Sequence, residues 1–168
     1  TAECTSIAEL EAGLLAMEDC PLKRTASNLC FAGGTFIGHT MVIGDVAGRE
    51  EDLEGAPFAG QSAALLERML GAIGLSSTGE NAEQAVSLFN LIPCRPLGQR
   101  PPNEGEIAQC LPYLQRAIEI IQPRFILCFG NLPAQALLGR SESLMMLRGK
   151  WLELSVSGRS IPVMTTFS

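Results

Sequence analysis

Apolar residues recur at Ile7, Leu10, Leu14 and Met17, and this spacing predicts a helix over 6–17. Thr40–Gly44 (TMVIG) is a short β-branched run stopped by glycine, which reads as a buried strand. Residues 44–60 (GDVAGREEDLEGAPFAG) are rich in glycine and acids and read as a loop. Helical spacing returns in Gln61–Ile73, followed by a second apolar run, Val86–Ile92 (VSLFNLI). The four prolines of Pro93–Asn103 exclude regular structure there. Glu104–Ile121 is the next helix, with acids in its first turn where the helix dipole favours them. Pro112 lies inside that segment and predicts a kink or a late start. Arg124–Gly130 (RFILCFG) is a third buried strand, Asn131–Leu138 a helix closed by Gly139, and Ser160–Thr166 a fourth strand.

Strands alternating with helices imply right-handed crossovers, hence an α/β fold with a parallel sheet covered on both faces. Ligands of such folds bind beyond the carboxyl ends of the strands. Four segments gather there: Gly44–Gly48, Asn90–Arg95, Gly130–Asn131 and Thr166–Ser168.

Composition narrows the picture. The 168 residues suit one domain, and a chain of that size buries about 70% of its unfolded surface without a staple. With 46% hydrophobic and 18% charged residues it is globular rather than disordered. No apolar run is long enough to span a membrane. A net charge of −6 argues against gripping nucleic acid by bulk charge, though it leaves room for a local basic groove. The chain begins Thr-Ala-Glu, and its first residues carry no signal-peptide pattern. A reducing, cytoplasmic setting is expected from the size and the cysteine usage, and a monomer is expected. Cys30 and Cys128 sit in apolar runs and read as buried small hydrophobes, while Cys4 lies near a loose end. Cys20, Cys94 and Cys110 sit beside proline or polar residues and are the better ligand candidates.

Asp45 stands in Gly44-Asp45-Val46-Ala47-Gly48, directly after the first strand. It reads either as a water-orienting carboxylate beside exposed backbone N–H groups or as the cap of an ordinary turn. Neither the dinucleotide fingerprint nor a P-loop is present, and the acidity of the loop also disfavours a flavodoxin-like phosphate cradle. Asn90 ends a strand, where its carboxamide offers a donor and an acceptor to a flat heterocycle, or forms a turn. Phe58, in a Gly/Pro loop, stacks on a base or plugs the core. His39, the only histidine, precedes the first strand and lies away from the strand ends. Arg95, Arg100, Arg148 and Lys150 contact phosphates or form a solvated face.

The order GDVAG, GAPFAG, an LL-containing helix, FNLIPCRP, a cysteine sixteen residues after Cys94, FGNLPAQALLG and LRGKW resembles the family 4 uracil-DNA glycosylases. The likeness runs from about Cys20 to Ser168. It implies a three-layer α/β/α sandwich with a four-stranded parallel sheet in a single domain over 1–168, lacking the family's C-terminal segment. It also implies removal of uracil from DNA in base excision repair, with uracil-containing DNA as partner. Asp45 then positions the attacking water, Phe58 stacks on the flipped uracil, and Asn90 reads its edge. Gly44 and Val46 line the uracil site. N–H groups of Gly44–Gly48 support the charge that develops on the leaving base. Arg95, Arg148 and Lys150 steer the DNA backbone. The requirement that a base be unstacked, held between flat walls and read on its edge agrees with these roles.

This sequence departs from the family pattern at several positions. Asp45 replaces the usual Glu of GEAPG, Ala47 a Pro, and Ser87 a Tyr. Ser168 falls where a His of a His-Pro motif is expected, and it is assigned to the catalytic set in that place. The family's 4Fe-4S cluster is held by four cysteines; Cys20, Cys94 and Cys110 match three of them, and the remaining position is Met17. The alternative reading is a superfamily member with little or no turnover that binds uracil or DNA, and Ser168 favours it.

Overall fold

The computed structural model describes all residues, Thr1–Ser168. Its helices are α1 (Ile7–Ala16), α2 (Arg49–Glu54), α3 (Gly60–Ala72), α4 (Glu104–Ile121), α5 (Asn131–Leu138) and α6 (Leu144–Leu147). Its strands are β1 (Ala32–Gly34), β2 (Thr40–Val46), β3 (Val86–Ile92), β4 (Phe125–Phe129), β5 (Trp151–Val156) and β6 (Arg159–Thr166).

One sheet has the order β1-β3-β2-β4-β6-β5. Its four central strands are parallel, as expected. Antiparallel β1 and β5 extend it at the two edges, so the sheet has six strands rather than four. The two edge strands carry weak sequence signals. β1 is Ala-Gly-Gly, with no β-branched residue. β5 meets β6 through Ser157-Gly158, both at positive φ (47° and 77°), the mirror-image turn that suits a hairpin.

Successive residues of a strand face opposite sides, and here they feed two cores. Met41 and Ile43 of β2 and Phe89 and Leu91 of β3 join the larger core with α1, α4 and α5. Val42, Val86 and Leu88 pack under Leu66 and Leu70 of α3 on the other face. The result is an α/β/α arrangement.

One local expectation is corrected, and of the two alternatives offered for Pro112 the late start is excluded. Residues 49–54 of the acidic segment are helical (α2) rather than loop. α4 starts at Glu104 despite Pro112, so the late start does not occur. Asn103 caps it: its side chain accepts the Glu106 N–H, and the Glu106 carboxylate accepts the Asn103 N–H, each at 2.9 Å. Pro112 and Ala108, whose carbonyl it leaves without a helical partner, lie on exposed positions of the helix.

Glu106 also holds Arg100 of the Pro-rich loop (2.5 Å) and is itself 2% exposed. The Arg100 guanidinium keeps the Glu106 carboxyl below the usual range. Glu106→Ala should cost about 2 kcal/mol, from the lost cap and charge-assisted bonds. A urea titration that leaves the midpoint unchanged would contradict this. No helix is long and apolar enough to cross a membrane.

Candidate active site

The carboxyl ends of β2, β3, β4 and β6 open into a cleft of about 520 Å³. Gly44, Asp45, Val46 and Asn90 form its floor, Phe58 and Phe129 one wall, and Leu65, Leu66 and Met69 of α3 another. Thr166, Phe167 and Ser168 close the far side. Asp45, Asn90, Ser168, Gly44, Val46 and Phe58 therefore all meet in one place.

Gly44 pairs with Asn90 across the β2–β3 ladder. A Cβ at Gly44 would lie 2.6 Å from Asn90 Oδ1 and 3.1 Å from Phe58 Cζ. Its missing side chain is what lets the Asn90 amide oxygen and the Phe58 ring approach β2 at this point. Gly44 has no positive φ, so alanine fits the backbone and spoils only the space. Gly44→Ala is expected to lower uracil excision by about 100-fold, the scale of a misplaced reacting group. The cost in stability should be only about 1–3 kcal/mol. Wild-type turnover by the folded variant would show that the ligand lies elsewhere.

Phe58 has φ +55°, an unusual backbone for a bulky residue. Its ring stands edge-on to Phe129 at 5.9 Å. Asp45 is only partly exposed, and burial pushes its carboxyl up to about 6, with the Leu132 N–H pulling the other way. Its Oδ1 is buried with no protein hydrogen-bond partner. Gly130, at φ +98°, packs against this carboxylate, and a Cβ there would overlap it. A second cavity of about 590 Å³, lined by Pro96, Arg100, Pro102 and Leu132, also reaches Asp45, Val46, Ala47 and Gly48. Asp45, Val46 and Gly48 line both cavities, and β2 runs on to Val46, so Asp45 stands at the end of the strand rather than in the loop expected after Gly44.

Asn90 is 2% exposed. Its Nδ2 donates to the Cys30 carbonyl (3.1 Å) and to Glu51 Oε1 (3.2 Å). Only the acceptor, Oδ1, is left for a ligand, rather than the donor and acceptor expected. Two loop N–H groups are also committed. Ala47 N–H donates to the Ile92 carbonyl (2.9 Å) and Gly48 N–H to Glu51 Oε2 (2.6 Å). These two do not face a leaving base, which corrects the expectation for them.

Sequence reasoning missed Glu51, which lay in the supposed loop. Its signal was present, since Gly48-x-x-Glu51 places an acid where it reaches back to the N-cap of a helix. Also missed were Phe129 and the α3 wall.

The basic residues lie outside the cleft lining. Arg148 and Lys150 are exposed, and the Gly149 N–H bonds to the Thr165 carbonyl (3.2 Å), beside the β6 end of the cleft. The Arg148 guanidinium sits 4.4 Å above the Phe167 ring. Arg95 is half-buried, with an unpartnered Nε. His39 is far from this chemistry in the ladder, before β2, where its backbone bonds to Ala82 and Arg124.

Cys20, Cys94 and Cys110 are buried in the larger core, and Met17 packs against it. Burial and the neighbouring sulfurs push Cys94 up to about 11 and Cys110 to about 12. With Met17 the donors are three thiols and one thioether, one thiolate short of the usual cluster set. No group of three or more His, Cys, Asp or Glu side chains is arranged to hold a metal ion. These residues do not fit a four-thiolate cluster. Cys128 is buried in the larger core as expected, whereas the buried Cys30 thiol donates to the Glu51 carbonyl (3.1 Å).

A layered α/β domain with an aromatic, a partly buried acid and a fixed amide around one cleft at its strand ends has these groups where such folds bind their ligands. The family model described as the uracil DNA glycosylase superfamily matches residues 39–168. The chain belongs to that superfamily. It is 35% identical over 155 residues to the Type-4 uracil-DNA glycosylase of Saccharolobus solfataricus, covering 89% of this chain and 69% of the relative. With that of Pyrobaculum aerophilum it shares 32% over 154 residues, 89% and 76% of the two chains. With that of Archaeoglobus fulgidus it shares 29% over 166 residues, 96% and 80%.

Proposed function

We propose that this chain is a uracil-DNA glycosylase: a hydrolase that cuts the N-glycosidic bond of uracil flipped out of DNA, for base excision repair. The observation that carries the reading is the convergence of Asp45, Phe58 and the acceptor-only Asn90 on one cleft. Superfamily membership and relatives named Type-4 uracil-DNA glycosylase support it.

In this reading the uracil ring enters against Phe58, and its N3–H donates to Asn90 Oδ1. Water attacks C1′ of the sugar, and the C1′–N1 bond breaks. The electron pair leaves on uracil N1, and the water proton passes to Asp45. The raised Asp45 pKa suits it to accept a proton near neutrality. Ser168, at the exposed end of the cleft, offers one hydroxyl hydrogen bond to a uracil oxygen. Arg95, Arg148 and Lys150 are assigned to the DNA backbone, Arg148 after leaving the Phe167 ring. The chain acts as one domain over 1–168 and as a monomer on uracil-containing DNA, in the cytoplasm. Cys20, Cys94 and Cys110 serve the core.

The test is release of free uracil from a single-stranded uracil-containing oligonucleotide, with enzyme in excess. Release at a rate above background is expected. No release, while a Type-4 relative works alongside, overturns the proposal.

A further inference from the structure

We propose that Glu51 is the positioning residue that holds Asn90 with its acceptor toward the cleft and so makes the site select uracil over cytosine. This rests on the reading of the cleft given above.

The Glu51 carboxylate is a three-way junction. Oε2 accepts the Gly48 N–H at 2.6 Å, and Oε1 accepts the Phe58 N–H at 2.5 Å and Asn90 Nδ2 at 3.2 Å. One side chain therefore ties the end of the Asp45 loop, the aromatic wall and the reading amide together. It does so from the first turn of α2, whose N-cap is Gly48. It also holds Phe58 at its unfavourable φ of +55°, a conformation that persists only where the surroundings over-determine it.

The consequence for Asn90 is directional. Its two amide hydrogens are taken by two acceptors, the Cys30 carbonyl and Glu51 Oε1. Turning the amide over would set Oδ1 against the Glu51 carboxylate, which still accepts the Phe58 N–H, and leave the Cys30 carbonyl without its Asn90 donor, which is costly. Oδ1 therefore stays beside Gly44, facing the cleft. Uracil carries a hydrogen on N3 and can donate to it. Cytosine presents a lone pair at N3 and meets another lone pair. Sites built around one fixed buried polar group discriminate strongly against a ligand that cannot pair with it. Without Glu51 one of the two restraints is gone, and the amide can turn to suit either base.

The experiment compares Glu51→Ala and Glu51→Gln with the unsubstituted chain. The first readout is inhibition of excision by free uracil and by free cytosine. The second is hydrogen exchange of the Asn90 side-chain amide by NMR, which needs no ligand. In the unsubstituted chain both Asn90 amide hydrogens are expected to be slow. Glu51→Ala should speed at least one of them and lower the uracil-to-cytosine preference about tenfold, the value of one hydrogen bond. Glu51→Gln keeps one oxygen for Phe58 and Asn90 and should retain the preference within a few-fold while slowing turnover. It also keeps the test alive if the alanine variant does not fold. An unchanged preference and unchanged Asn90 exchange in Glu51→Ala, or fast Asn90 exchange in the unsubstituted chain, overturns the inference and leaves the site reading standing. An unsubstituted chain that neither excises nor binds uracil overturns the site reading, and the selectivity inference with it.

Discussion

Asp45→Asn is expected to cut uracil release by about 10²–10⁴-fold, the usual contribution of a positioned base, and at the same time to make the protein more stable at neutral pH. Both effects follow from the same burial. The Asp45 carboxyl is held at about 6 because ionising it in this site is unfavourable. The carboxylate is the form that takes a proton from water, so the rate of the unsubstituted chain should rise with pH through about 6 and level off above it. Stability runs the opposite way. Between the ordinary carboxylate pKa and about 6 the folded chain binds more protons than the unfolded one, so stability falls as pH rises through that window. Asparagine removes the buried charge, and the gain at pH 7 should be no more than about 3 kcal/mol, at about 1.4 kcal/mol per pKa unit. Single-turnover rates across pH 4.5–8 (a range of about three units around the raised value), with melting curves of both proteins, check the pair. A variant as active as the parent, or a parent rate that is flat through pH 6, removes Asp45 from the chemistry.

Asn90→Ala should lower excision by about 100-fold or more, because it deletes the one group placed to read the ring edge and unties the network behind it. Unlike Asp45→Asn it should also destabilise, by about 1–3 kcal/mol, since the Cys30 carbonyl and Glu51 Oε1 each lose their Asn90 donor. The loss should appear mainly as weaker inhibition by free uracil. A variant that keeps uracil affinity but loses rate would make Asn90 a participant in bond cleavage rather than the reader.

The contrast between these two positions shows what was legible from sequence. β2 and β3 are buried along most of their length, so they stood out as apolar runs, and the residues at their carboxyl ends were found at once. The alternation of strand and helix placed the four parallel strands, and Gly139 marked the end of α5. The edges carried no such signal: Ala32–Gly34 has nothing to distinguish it from a loop, and Trp151–Val156 is half exposed. α2 was hidden because its six residues are nearly all charged, with no apolar face to count. That concealed Glu51, whose importance lies in what it accepts rather than in what surrounds it in sequence. The direction of the Asn90 amide was illegible for the same reason. It is set by the Cys30 carbonyl, 60 residues away, and by Glu51, a tertiary arrangement that no local pattern encodes. The resemblance pointed to residues that the structure brings into one cleft, and the structure sets the direction of the Asn90 amide.

The most direct measurement is a crystal structure of Asp45→Asn bound to a uracil-containing single-stranded oligonucleotide, since the slowed variant keeps the substrate intact. The uracil is expected in the cleft, its ring against Phe58, its N3–H within hydrogen-bond distance of Asn90 Oδ1, and its C1′ turned toward residue 45. A base bound outside the cleft, or one read by the Asn90 amide hydrogens instead of its oxygen, would contradict this assignment of the site.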